Sequence, residues 1–237
     1  MKLLLSNQHG AIVMALLPFL YGMCLAPFNK ISILLLLAWI SLYFMTYPFL
    51  SLFKGRNLAL YKKWTFIYAF CCFIFALLPL YENWQIIYFM LPMLPLVCIN
   101  IYYVKQKNER ALGNDLTAIL IFALGGMGAY YFSAHQFDAN IWKVALYPAL
   151  FFIGTTLYVK SVLRERKNPR YYQGSILFHC ICLLGFMLYK NYYLALVFSI
   201  PLIRAICLPK YKLSVKQVGL IEFAISAIFF IMLLLAP

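Results

Sequence analysis

Residues 31–53 read ISILLLLAWISLYFMTYPFLSLF, and the next ten, 54–63, read KGRNLALYKK. The first stretch holds no charged side chain. As an α-helix rising about 1.5 Å per residue it would be roughly 35 Å long, enough to cross about 30 Å of hydrocarbon. The second stretch carries four cations and no acid. An apolar run of membrane length followed at once by a basic loop predicts a transmembrane helix. Its trailing loop is expected on the cytoplasmic side, because Lys and Arg are retained there during insertion.

The same alternation recurs on both sides of this segment. Polar breaks divide the chain into nine candidate spans: 11–28, 31–53, 64–80, 86–104, 116–134, 142–159, 174–189, 192–208 and 218–236. The division between the seventh and eighth rests on Lys190 and Asn191 alone. With a cytoplasmic N-terminus and nine alternating helices, seventeen of the twenty Lys and Arg residues fall on the inside, leaving Lys30, Lys143 and Lys190 outside. A missed or invented helix would scramble that count. The C-terminus is then expected outside. The fold class is therefore all-α, a polytopic transmembrane helix bundle forming a single integral membrane domain over 1–237.

Composition agrees. The chain is 65% hydrophobic and 11% charged, far from the roughly 45–50% and 25% of a soluble domain. The runs are continuous rather than alternating, which excludes a transmembrane β-barrel. Orientation in the bilayer accounts for the net charge of +14 without a nucleic-acid partner. Cys24, Cys71, Cys72, Cys98, Cys180, Cys182 and Cys207 all lie in apolar runs and read as small apolar fillers. Met1 to Ser6 is too short for the core of a cleavable signal, so the first span is expected to stay in the mature protein. Tyr43, Tyr47, Trp64, Tyr102, Tyr103, Trp142, Tyr158, Tyr171 and Tyr172 fall near span ends, where amphipathic rings favour the headgroup level. Pro18, Pro48, Pro92, Pro95, Pro148 and Pro201 permit kinks. Gly125, Gly126 and Gly128 allow another helix to approach the fifth span closely.

Chemistry has few places to reside, because only six residues are acidic. The loop NERALGND, 108–115, gathers Glu109, Arg110, Asn114 and Asp115 before the fifth span. Asn114 or Asp115 can cap that helix; alternatively the four side chains form a polar cluster over a cavity, with Glu109 and Asp115 binding a cation or pairing with arginines. The next inside loop, YVKSVLRERKNPR at 158–170, offers Lys160, Arg164, Glu165, Arg166 and Lys167. Guanidinium forks suit a phosphate or carboxylate, and the same cations serve as a topology signal touching anionic headgroups. Ahead of the first span, Ser6 to Ala11 includes His9, a group able to titrate near neutrality, while Ser6 or Asn7 can cap the helix. His179 with Cys180 and Cys182 is a weak metal motif, because i and i+2 on a helix face apart. His135 with Asp138 has too few partners. No metal or cofactor is expected. Arg204 and Glu222, charged within or at the edge of apolar spans, should lie toward the inside ends of their helices and pair with one another, as a structural pair in preference to the alternative of a proton relay.

The QHGA string at 8–11, the NERALGND loop and the YVKSVLRERKN loop together resemble the YwiC-like bacterial membrane proteins. The resemblance implies a multi-pass protein of a bacterial inner (cell) membrane and implies no activity. Nine helices with an inside N-terminus are also similar to the UbiA prenyltransferase architecture. There, Asp-rich loops after the second and sixth helices hold Mg²⁺ against an isoprenyl diphosphate. Here the first of those loops has no acid and the second only Glu165, so Mg²⁺-dependent prenyl transfer is a poor fit. The leading expectation is binding or processing of an anionic lipid or isoprenoid-like molecule at the basic loops. An accessory subunit recruiting a partner and a small-solute transporter are the alternatives.

Overall fold

In a computed structural model the described residues are 4–5, 9–55 and 57–236, with His9 described by its backbone alone. Every regular element among them is helical. The elements are α1 (His9–Leu25), α2 (Ser32–Leu52), α3 (Leu58–Glu82), the short α4 (Ile87–Met90), α5 (Met93–Lys105), α6 (Leu112–Ala134), α7 (Ala139–Val159), α8 (Pro169–Leu188), α9 (Tyr192–Cys207) and α10 (Val215–Leu234). A 3₁₀ turn, α4 and α5 run together as one span, Trp84–Lys105. Among the described residues eight helical segments are long and apolar enough to cross a membrane, and α1 is a shorter apolar helix. This is a multi-pass membrane protein of about nine spans. Outward-facing side chains such as Phe66, Phe70, Leu177 and Ile181 are exposed, as expected where the solvent is lipid.

The chain divides into two compact units, Met1–Leu146 and Tyr147–Pro237, with the boundary inside α7. In the first unit α6 is the central helix. It is buried at Gly125, Gly126, Met127, Gly128, Ala129 and Tyr130. Gly125 and Gly126 work as the sequence predicts, whereas a Cβ at Gly128 would meet only ordinary contacts. A Cβ at Gly125 would collide with the Trp39 ring of α2, one at Gly126 would sit 2.6 Å from the Pro18 carbonyl oxygen of α1, and Gly128 faces Phe89. Trp39 stacks on Phe19 at 5.3 Å, and its indole N–H donates to the Ala15 carbonyl at 2.9 Å, so a large buried aromatic keeps its one polar atom satisfied.

Hydrogen bonds within this unit show which loops share an end. Lys54 Nζ lies 2.8 Å from Glu109 Oε1, joining the loops after α2 and α5. At the other end Asn29 Nδ2 donates to Glu82 at 2.5 Å, and Tyr131 Oη donates to Gln85 at 2.6 Å. Alternating spans require these groupings. Asp138 caps α7, accepting from the backbone N–H of Asn140 at 2.9 Å and of Ile141 at 3.3 Å. Desolvation works against its ionisation. The bonds from Tyr130 Oη and from those two N–H groups outweigh it and hold the carboxyl below its ordinary value. The contribution of this cap is thus present above the usual carboxylate range and is lost as pH falls through the lowered value.

In the second unit α8 and α9 form a hairpin through Lys190, whose φ is +57°. The Asn191 side chain accepts from Leu194 N–H at 3.0 Å and caps α9. The thinnest division in the sequence is a real turn. Ser214 and Gln217 form a capping box at the start of α10. An aromatic stack fills the interior: Phe151 on Phe229 at 4.0 Å, and Phe198 edge-on to Phe229 at 5.5 Å.

Candidate functional site

The loop after α7 takes its shape from one irregular turn. Residues Lys160–Arg164 wind as a π-helix, closed by Glu165 N–H donating to the Lys160 carbonyl at 2.7 Å. Such turns widen the helix by one residue and recur at functional sites. Asn168 ends the loop by capping α8, accepting from Arg170 N–H at 3.1 Å, with Pro169 pre-set for the first helical position. Between these two fixed points lies an open hollow of about 390 Å³ lined by Leu163, Arg164, Glu165, Arg166, Lys167 and Asn168. Arg164, Arg166 and Lys167 are exposed and Glu165 is half-buried. Arg166 Nη2 donates to the Tyr211 carbonyl at 3.1 Å, which ties the hollow to the loop before α10.

Lys160 stands apart from this group. It is only 3% exposed, and Ser161 and Val162 beside it are buried too. The structure therefore brings Arg164, Glu165, Arg166 and Lys167 together at the hollow, while Lys160 is buried and does not line it. Leu163 packs against a buried cluster of Tyr158, Val162, Ala205 and Val218.

In the first unit, Glu109 is held by Lys54, and Arg110 is exposed. Capping of α6 by Asn114 or Asp115 does not occur. The N-cap is Ala111, with no side-chain hydrogen bond. Asn114 sits inside the first turn and donates from Nδ2 to the Glu109 carbonyl at 2.9 Å. The helix begins earlier than the span because Leu112 to Asp115 already adopt helical geometry. Asp115 then lies in the first turn, where a negative charge favours the helix dipole. The expected role for His9 concerns a side chain outside the described residues, as do the proposed caps Ser6 and Asn7.

The Arg204–Glu222 pair expected from the sequence forms. The residue that sequence reasoning misses is His179, whose Nε2 lies 3.3 Å from Arg204 Nη2. Among the described residues no three His, Cys, Asp or Glu side chains converge as a metal site would require.

Comparison with known proteins agrees with the motif resemblance. A family model described as YwiC-like protein matches residues 5–130. An uncharacterized protein of Haemophilus influenzae is 63% identical over 236 residues, covering 100% of this chain and 99% of that protein. The uncharacterized protein YwiC of Bacillus subtilis is 35% identical over 233 residues, covering 98% of this chain and 96% of that protein. No solved structure matches. On the family match and on these two relatives, aligned from end to end, the chain belongs to the YwiC-like family.

Proposed function

We propose that this protein holds an anionic lipid or isoprenoid-like headgroup in the hollow of residues 163–168, on the cytoplasmic side of a bacterial inner membrane. The observation that carries the reading is the grouping of exposed Arg164, Arg166 and Lys167 around one hollow held between a π-turn and a helix cap. Guanidinium forks bind phosphoryl oxygens in pairs. Leu163 gives the same hollow an apolar wall, suited to the first carbons of a lipid. Glu165 would orient the cations or a headgroup hydroxyl.

The test is lipid retention by protein reconstituted in nanodiscs, with phosphatidylglycerol, a polyprenyl phosphate and phosphatidylcholine as separate probes and inorganic phosphate as competitor. A hydrogen bond to a charged group contributes about 1.5–3 kcal/mol, so Arg164→Ala with Arg166→Ala should weaken binding of the preferred anionic lipid by about 100-fold or more. Lys210→Ala with Lys212→Ala removes equal charge outside the hollow and should cost much less. Equal losses from the two double variants, or undiminished binding by the first, would overturn the assignment. Competition by inorganic phosphate would show that the phosphoryl group alone is recognised.

A further inference from the structure

Within the second unit, three helices each send a polar or charged side chain to one buried point on α9. Arg204 of α9 is 3% exposed. Its Nη1 donates to Glu222 Oε2 of α10 in an ion pair and to Thr155 Oγ1 of α7 at 3.3 Å. Its Nη2 faces His179 Nε2 of α8 at 3.3 Å. Its Cζ stands 4.3 Å from the centre of the Tyr158 ring. The tautomer of His179 follows from its partners. Nδ1 lies 2.6 Å from the Ser175 carbonyl, which can only accept, so Nδ1 carries the hydrogen. Nε2 is then left to accept from the guanidinium. Residue 154 must be small for this ring to fit, since a Cβ there would lie 2.7 Å from His179 Nε2.

A simple ion pair would not need so many partners. If Glu222 lost its charge, Arg204 would still face three neutral acceptors: the Thr155 hydroxyl, His179 Nε2 and the Tyr158 ring face. Arginine itself does not give up a proton in proteins. The carboxylate has no comparable support. Its Oε1 is buried and has no hydrogen-bond partner among the described residues, and the same holds for Tyr158 Oη and Arg204 Nε. Buried polar atoms are rarely left so. A proton on His179 Nε2 would turn an acceptor into a donor facing a cation. A proton on Glu222 Oε1 displaces no hydrogen bond and removes only the carboxylate's charge.

We propose that Glu222 is a proton-binding site inside the membrane, with Arg204 as its fixed counter-charge and His179, Thr155 and Tyr158 as the groups that hold Arg204 when the proton is on. One proton comes from water and forms the Oε1–H bond. The net charge of the cluster passes from zero to +1, and no other covalent bond changes. Glu222 is the single acid of α10 and lies on its packing stripe with Val218, Ser226, Phe229 and Leu233. Proton uptake therefore loosens the charged tie between α10 and α9. The proposal does not depend on lipid binding at the 163–168 hollow.

The chain has four glutamates, Glu82, Glu109, Glu165 and Glu222. A Glu82→Gln, Glu109→Gln, Glu165→Gln variant labelled with ¹³C-glutamate leaves Glu222 as the sole carboxyl signal from glutamate. In nanodiscs its ¹³Cδ resonance should follow a single-proton curve with pH. With His9→Gln and His135→Gln added, the ¹⁵N signal of His179 should move with the same midpoint, as Arg204 shifts its donors. A Glu222 resonance fixed over the whole pH range in which the protein stays folded overturns the proposal and leaves a static pair. Glu222→Gln should abolish the pH response of His179. An undiminished response there would assign the titration to the imidazole and equally overturn it.

Discussion

Arg204→Ala is expected to destabilise the protein by about 3 kcal/mol in equilibrium unfolding from detergent micelles. Removing one partner of a buried pair costs about 3–5 kcal/mol, because the other charge is left without compensation. Two effects set the lower end here. Helices unfolded in a micelle still find polar partners, and the orphaned Glu222 can neutralise itself by binding a proton. The second effect predicts that the loss shrinks as pH falls, since both proteins then carry a neutral acid at 222. Glu222→Ala should cost less than Arg204→Ala at neutral pH, because the guanidinium retains the Thr155, His179 and Tyr158 contacts. Glu222→Gln, which keeps an acceptor at the same place, should cost less again. Arg204→Met combined with Glu222→Leu should recover much of the single-variant loss, as apolar replacement of a whole buried pair is often near neutral. If Arg204→Ala unfolds within about 0.5 kcal/mol of wild type at every pH, the cluster has no energetic role.

Much of this architecture was legible because the bilayer imposes two independent constraints on one chain. Span length and loop charge had to agree, and the cations of 54–63 and 160–170 left little freedom in the count. Even the turn at Lys190 and Asn191 was readable, as a polar interruption of two residues. The Arg204–Glu222 pair was legible by the same logic, as two costly charges at matching depth on neighbouring spans. His179 was not. Its sequence neighbours Cys180 and Cys182 point to metal chemistry, whereas its partner lies on another helix. The backbone carbonyl four residues earlier, at Ser175, is a local contact of a kind any helical His can make. Lys160 was misleading for a different reason. A lysine at a helix end is ordinarily solvated or snorkelling, and the π-turn that buries this one leaves no trace in the apolar periodicity. The α6 cap failed because Asn114 and Asp115 fall after the true start, and Ala111, which precedes it, carries no capping group.

A second large effect is expected where α1 crosses α6, and it tests the part of the fold built on missing side chains. The glycines of α6 announced a close approach, but Gly22, the residue they meet on α1, carries no signal of its own in the sequence. A Cβ at Gly22 would overlap the carbonyl oxygen of Gly126 and lie 3.1 Å from the Tyr130 backbone nitrogen. A Cβ at Gly126 would lie 2.6 Å from the Pro18 carbonyl oxygen and 3.0 Å from Val144 Cγ1. The obstacles to either change are mainly backbone atoms, so no rotamer change relieves them and the helices must separate. Ordinary overpacking costs about 1–3 kcal/mol; Gly22→Ala should fall at the top of that range or beyond it. Gly185 offers the contrast, with nothing within 4 Å of the place a methyl group would take. Gly185→Ala should be neutral or stabilising by up to about 1 kcal/mol, the intrinsic preference of a helix for alanine. Because one separation accommodates both methyl groups, Gly22→Ala and Gly126→Ala combined should cost less than the sum of the two alone. Full additivity of the pair, or a Gly22→Ala protein as stable as Gly185→Ala, would mean that the backbones of α1 and α6 do not meet at this crossing.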